Sequence, residues 1–242
     1  MNKEYAQQLL NKVKNDYNQI AEEFSNTRHR AWEEISFLFD YIKSDDRVLD
    51  SGCGNGRYLP LIRERGGQYF GIDNSEELVR IAKSRYPGEN FQVADVLQLP
   101  FEDNFFDKIY CLAVLHHIPS KELRLRFFEE AKRVLKQGGL LILTVWKFKR
   151  WQERVLLLKY NILRVLGKPR RRASSLRGWS KMEKNDLFLP WQKEIPRYYH
   201  CFSQNELAGL AKEAGLEIVK IGVVSNERGN RNNIYLAAQK AS

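Results

Sequence analysis

The stretch VLDSGCGNGRYL, residues 48–59, sets Gly52, Gly54 and Gly56 at alternate positions directly behind a short apolar run. Glycine tolerates positive φ and carries no Cβ, so a ligand can come close to the backbone of such a loop. A strand that turns through a glycine loop into a helix is one way to hold a nucleotide-like molecule. Outward from this loop, short apolar runs recur at 69–72, 91–94, 106–112 and 140–146, with helical stretches starting at Arg57, Ser75 and Lys121 between several of them. Strands alternating with helices predict an α/β fold, a parallel sheet with helices on both faces.

Both ends of the chain depart from that alternation. At the N-terminus, Tyr5, Leu9, Leu10, Val13, Tyr17, Ile20 and Phe24 recur at helical spacing, and a second helix is expected over 32–42. Near the C-terminus, Ser203 and Glu206 form a capping box for a helix that Gly215 stops. LEIVKIGVV and NIYLAAQ then follow, joined by the polar turn SNERGNRN, which predicts a terminal antiparallel hairpin. The sum is a seven-stranded, mostly parallel sheet with one antiparallel member. Residues 147–201 are too many for an ordinary loop. The expected organisation is one domain over 1–242: N-terminal helices at 1–44, a cofactor-binding core at 45–146, a basic insertion or substrate lid at 147–201, and a terminal helix and hairpin at 202–242.

Charge is concentrated in that insertion. Between residues 147 and 184, thirteen Lys or Arg stand against two acids, which exceeds the net charge of +10 carried by the whole chain. Such a segment suits a polyanion. Its apolar residues, Val155 to Leu158 with Ile162, Val165 and Leu166, joined to Arg170, Arg171 and Arg172, also suit peripheral contact with an acidic membrane, or a lid packed on the sheet. Cys53, Cys111 and Cys201 are scattered without a paired motif, and no run approaches a spanning helix, so a cytoplasmic protein is expected.

Three acids and glycines define a small-molecule site. The loop reads Asp50-x-Gly52-x-Gly54-x-Gly56, tighter than the dinucleotide fingerprint. Gly71-Ile72-Asp73 ends the next strand with a carboxylate placed for ribose hydroxyls, and Asp95 follows the third strand as an acceptor for an exocyclic amine. Together they describe an adenosine with no pyrophosphate. The plain alternative is that the glycines only shape a turn and Asp73 caps a helix.

With LDSGCGNG, GIDNS, VADVLQLPFEDNFFD, VLHHI and LKQGGLLILTVW in order, residues 48–146 resemble the class I S-adenosylmethionine-dependent methyltransferases, which have a Rossmann-like sheet. The resemblance implies S-adenosylmethionine as cofactor. It implies a donor site at Asp50, Gly52, Cys53, Gly54, Gly56, Tyr58, Asp73, Asn74, Asp95, Val96 and Ala113, with the glycines at the methionine, Asp73 at the ribose, and Asp95 with Val96 at the adenine. IAEEFSNTRHRAW, GCGNGRYL, FLPW and RYYHCFSQNEL extend the likeness over nearly the whole chain. They resemble the tRNA wobble-uridine carboxymethyl methyltransferases, including the methyltransferase portion of the AlkB-type tRNA hydroxylase fusion. That family implies esterification of 5-carboxymethyluridine in the tRNA anticodon loop, and its eukaryotic members imply a small activating protein partner. Asn74 stands where the family usually has arginine.

The acceptor-side candidates are Arg28, His116, Arg197, Tyr199 and His200, with RYYH expected on a loop. A carboxylate is ionised at neutral pH, its reference pKa being about 4, so it needs no general base. Cations and phenols would position it. A small-molecule methyltransferase acting on a lipid or quinone precursor is the alternative, because the core motifs are shared with such enzymes.

Overall fold

Strand β1 (Arg47–Ser51) is buried at every position but its first, and β4 (Phe106–Leu112) is buried at all but Asp107. Strands apolar on both faces require helices on both sides of a sheet. The computed structural model describes residues 1–147, 155, 158, 162, 181–191, 195–229 and 232–241. The remaining strands of the main sheet are β2 (Gln68–Asp73), β3 (Phe91–Val93), β5 (Leu135–Trp146), β8 (Leu216–Ser225) and β9 (Asn232–Lys240). Their spatial order is β3-β2-β1-β4-β5-β9-β8, and β9 alone runs opposite to the other six. This is the expected seven-stranded, mostly parallel Rossmann-like sheet with its terminal hairpin.

The helices start where the sequence supplies caps. Asn2 accepts from the Tyr5 N–H to open α1 (Lys3–Thr27), and Ser75 accepts from the Leu78 N–H to open α3 (Glu76–Arg85). Ser120 and Ser203 do the same for α4 (Lys121–Val134) and α5 (Gln204–Glu213). Such caps satisfy amide groups that have no partner within the helix. Two boundaries differ from expectation. Helix α2 spans Leu59–Glu64, so Arg57 lies in the loop before it. Residues 32–42 hold a 3-10 helix, Glu33–Tyr41, in place of an α-helix. Ile35, Leu38 and Tyr41 recur every three residues, the period that aligns one face of that tighter helix.

The insertion supplies a second, two-stranded sheet. Strand β6 (Asp186–Trp191) pairs antiparallel with β7 (Ile195–His200), so the RYYH segment is a strand and not the expected loop. Its hairpin packs on α1, where Tyr5, Leu9 and Val13 meet Met182, Phe188 and Tyr198. The Arg-rich run at 170–172 lies outside the described residues. Leu158 and Ile162, which are described, are 60% and 48% exposed. Among the described residues, no helix is long and apolar enough to cross a membrane.

Candidate functional site

Chain order reverses between β1 and β4, so their C-terminal ends diverge and leave a crevice. A cleft opens there. Its floor is Gly52 to Asn55 after β1, Asp73 and Asn74 at the end of β2, Asp95 to Leu97 after β3, and Ala113 and Val114 after β4. Leu10, Tyr17 and Phe24 of α1, seven residues apart and therefore on one helical face, cover it from above.

The glycine loop is held in one shape by what surrounds it. Gly52 and Gly54 have φ of +82° and +56°, a region costly for side chains. A Cβ on Gly52 would collide with Val114 across the floor. Asp73 Oδ2 accepts from the Gly54 N–H at 2.9 Å, and Oδ1 accepts from the Ser75 N–H at 2.9 Å. Burial raises the Asp73 pKa, with these amides acting in the opposite direction. Ala113 also sits at positive φ, +62°, and its N–H donates to both the carbonyl and the hydroxyl of buried Thr144.

Two side chains in the loop fit the amino-acid end of S-adenosylmethionine. Asn55 is 1% exposed and gives its amide N–H groups to Ser25 and the Arg28 carbonyl. Its Oδ1 has no partner among the described residues. The Arg57 guanidinium lies over the Trp32 ring at 4.5 Å and the Tyr58 ring at 4.6 Å, with Nη1 buried and lacking an acceptor among the described residues. A buried acceptor and a buried cationic donor two positions apart in the loop, both lining the cleft, match an ammonium and a carboxylate.

The same cleft carries a directed chain of hydrogen bonds. Arg197 Nη1 donates to the Tyr17 hydroxyl at 2.9 Å, and that hydroxyl donates to His117 Nε2 at 2.8 Å. His117 Nδ1–H completes the chain on the Tyr198 carbonyl at 2.9 Å. The chain thus ties α1, the segment after β4, and β7 together. Burial, with Arg197 adding to it, pushes the His117 pKa down to about 3, and burial pushes His116 well below the imidazole range. Both rings are neutral near pH 7.

Twelve of the residues expected from sequence line this cleft: Arg28, Gly52, Cys53, Gly54, Tyr58, Asp73, Asn74, Asp95, Val96, Ala113, His116 and Arg197. Four do not. Asp50 points behind the loop, accepting from the Tyr69 hydroxyl at 3.1 Å, with burial pushing its pKa up to about 7. Gly56 makes room for Phe91, which a Cβ would meet at 2.8 Å. Tyr199 stacks behind His116 at 5.3 Å and Trp146 at 5.1 Å. His200 lies away from the cleft altogether. Sequence reasoning missed Asn55, Arg57 and Trp146; Arg57 was visible as a cation inside a glycine loop.

His200 serves the hairpin. Its Nδ1 meets Asp186 and its Nε2 meets Glu206, each at 2.7 Å, which fastens β7 to β6 and α5. Burial acts to lower its pKa, but the two carboxylates reverse this and the net direction is up. A raised folded pKa gives stability that is complete below about pH 6.5 and is lost as pH rises through the folded value. The thermal midpoint should therefore fall as pH is raised across that window, and His200→Gln should flatten the fall. An unchanged slope in the variant would remove His200 as its origin.

Comparisons agree with this geometry. Residues 49–143 match the family model described as a methyltransferase domain. A chain of Encephalitozoon cuniculi named as a methyltransferase is 31% identical over 85% of this chain and 87% of its own length. The tRNA (carboxymethyluridine(34)-5-O)-methyltransferase of Schizosaccharomyces pombe is 27% identical over 98% of both chains. Its namesake from Arabidopsis thaliana is 35% identical over 61% of this chain, which spans about a third (35%) of that relative's length. Among solved structures, a SAM-dependent methyltransferase of Methanosarcina mazei superposes with TM-score 0.68 at 25% identity, covering 88% of this chain and 99% of its own. A methyltransferase-type chain solved in complex with the Haloferax volcanii Trm112 methyltransferase activator has the same fold, with TM-score 0.68 at 18% identity, covering 95% of this chain and 98% of its own. On the crevice, the loop geometry and these similarities together, the chain belongs to the S-adenosylmethionine-dependent methyltransferases.

Proposed function

We propose that the chain methylates the carboxylate of 5-carboxymethyluridine at the tRNA wobble position, giving a methyl ester. One observation carries the choice of acceptor: among the described residues, the cleft around His116 and His117 holds no effective base. Burial leaves His116 and His117 weakly basic, and His117 already spends both ring nitrogens on Tyr17 and Tyr198. An acceptor that must be deprotonated, such as a phenol, finds no help here, whereas a carboxylate arrives ionised. This disfavours a quinone precursor and agrees with the names of the Schizosaccharomyces pombe and Arabidopsis relatives.

The bound donor supplies a methyl group already activated by its positive sulfur. Asn55 and Arg57 hold the amino-acid end, Asp73 the ribose, and Asp95 with Val96 the adenine edge. Arg28 and Arg197, both lining the cleft, draw in the anionic acceptor and its flanking phosphates. An acceptor oxygen forms the new C–O bond as the C–S bond breaks, the pair goes to sulfur, and no proton moves. Catalysis then rests on proximity and exclusion of water beneath α1 and the β6–β7 hairpin.

The basic insertion would meet tRNA phosphates. Replacing Arg170, Arg171 and Arg172 together by alanine should weaken tRNA binding and lower the slope of log affinity against log salt by about 2 to 3, near 0.9 per lost phosphate contact. An unchanged slope would transfer the segment to another role. Exposed Leu158 and Ile162 favour one such role, peripheral contact with an anionic membrane, which a vesicle sedimentation assay with the same variant would detect. A small activating partner could dock on the open sheet edge at β3, where Val93 is 43% exposed.

A further inference from the structure

Trp146, at the end of β5, and His116, in the segment after β4, present a pair of donors that the donor site and the hydrogen-bond chain leave without work. His116 Nδ1 accepts from the Trp146 backbone N–H at 3.4 Å, so the ring proton sits on Nε2. That Nε2–H and the Trp146 indole Nε1–H are both buried, and neither has an acceptor among the described residues. The two rings lie 5.4 Å apart with 35° between their planes, and both residues line the cleft. Tyr199 stacks on both, at 15° to the imidazole and 21° to the indole, which fixes the directions of the two N–H bonds. Leaving a buried donor without an acceptor is costly, and here two such donors share one wall.

A partner for this wall must offer two acceptors and bring no donor of its own. An ionised carboxylate does so, whereas an amide places an N–H against one of the two donors. We propose that His116 Nε2–H and Trp146 Nε1–H form a neutral two-donor seat that grips the acceptor carboxylate and aims one of its oxygens at the transferred methyl. The inference rests on the carboxylate reading above and adds the residues that recognise the reacting group. Hydrogen bonds of about 2.9 Å from two rings at this separation fall within the reach of one carboxylate.

Neutrality matters to the chemistry. A cation paired tightly to the carboxylate stabilises the ground state more than the transition state, where the negative charge is being lost. Two uncharged donors orient it with less of that penalty. The nearby cation, Arg197, is engaged with the Tyr17 hydroxyl and the faces of the Tyr17 and Tyr199 rings. The groups around His116 are His117 on its own segment, Trp146 of β5, and Arg197, Tyr199 and His200 of β7. Burial first, with Arg197 and His200 adding to it, keeps His116 in its neutral form.

The test is single-turnover methyl transfer to an anticodon stem-loop carrying 5-carboxymethyluridine, at saturating donor. Trp146→Phe keeps the ring and removes the N–H; His116→Leu removes the other donor, and His116→Gln restores one. Trp146→Phe and His116→Leu should each slow the transfer step about 10-fold or more, with stem-loop affinity changed less than about 2-fold, and His116→Gln should recover part of the loss. S-adenosylhomocysteine binding by calorimetry, unchanged in each variant, shows that the fold persists. The wild-type rate should be flat between about pH 6 and 8, where a required imidazolium would lose activity as pH rises. A wild-type rate in Trp146→Phe, or a rate that falls through pH 6 to 7 in the wild type and not in His116→Gln, overturns the seat. A wild-type enzyme that leaves the stem-loop unmethylated overturns the carboxylate reading, and the seat with it.

Discussion

Gly52→Ala should abolish measurable binding of S-adenosylhomocysteine, a loss of at least about 100-fold. Gly52 sits at φ +82°, where an L side chain costs on the order of 1–2 kcal/mol. The larger effect is steric, because the new Cβ occupies the space of the Val114 side chain. Val114 follows Ala113, which is pinned at positive φ by two hydrogen bonds to Thr144, so the β4 side of the floor has little room to retreat. Gly54→Ala is the internal control. Its φ is +56°, but the nearest atom to an added Cβ is Phe24 Cε1 at 3.8 Å. Calorimetry should find it weakened far less than Gly52→Ala, and equal losses in the two would show that backbone conformation, and not the collision, governs the loop.

Arg57→Leu carries the second large effect and locates the methionine end of the donor. A charge-assisted hydrogen bond to a carboxylate contributes about 1.5–3 kcal/mol, so the variant should lose about 10- to 100-fold in affinity for S-adenosylhomocysteine. Affinity for 5′-methylthioadenosine, which has the same nucleoside and no amino-acid end, should stay as in the wild type. Arg57→Lys keeps the charge but not the planar stacking between Trp32 and Tyr58, and should fall between the two. Equal loss for both ligands would place Arg57 in the architecture of the cleft and not on the carboxylate.

The parts of this site that sequence made legible are those fixed by local geometry. Gly52 and Gly54 lie in the loop after β1, Asp73 ends β2 and Asp95 lies just past β3, so a correct strand order brings them to one sheet edge. The acceptor side was harder because β7 is defined by pairing with β6, a contact that no local period announces. Read as a loop, RYYH offers four side chains to one site. As a strand it alternates: Arg197 and Tyr199 turn towards the cleft and its wall, while Tyr198 and His200 turn towards Asp186. His200 was thus assigned to catalysis when its place in the sheet makes it a fastener. Asn55 is illegible for a different reason, since its meaning lies in a polar atom left unsatisfied, which only packing reveals.

The most direct test of the whole account is nucleoside mass spectrometry of tRNA from a strain lacking its own wobble methyltransferase, after incubation with this protein and labelled S-adenosylmethionine. A labelled methyl ester on 5-carboxymethyluridine, lost in Asp73→Ala, is the expected result. Unlabelled tRNA, from protein that still binds S-adenosylhomocysteine by calorimetry, would contradict it.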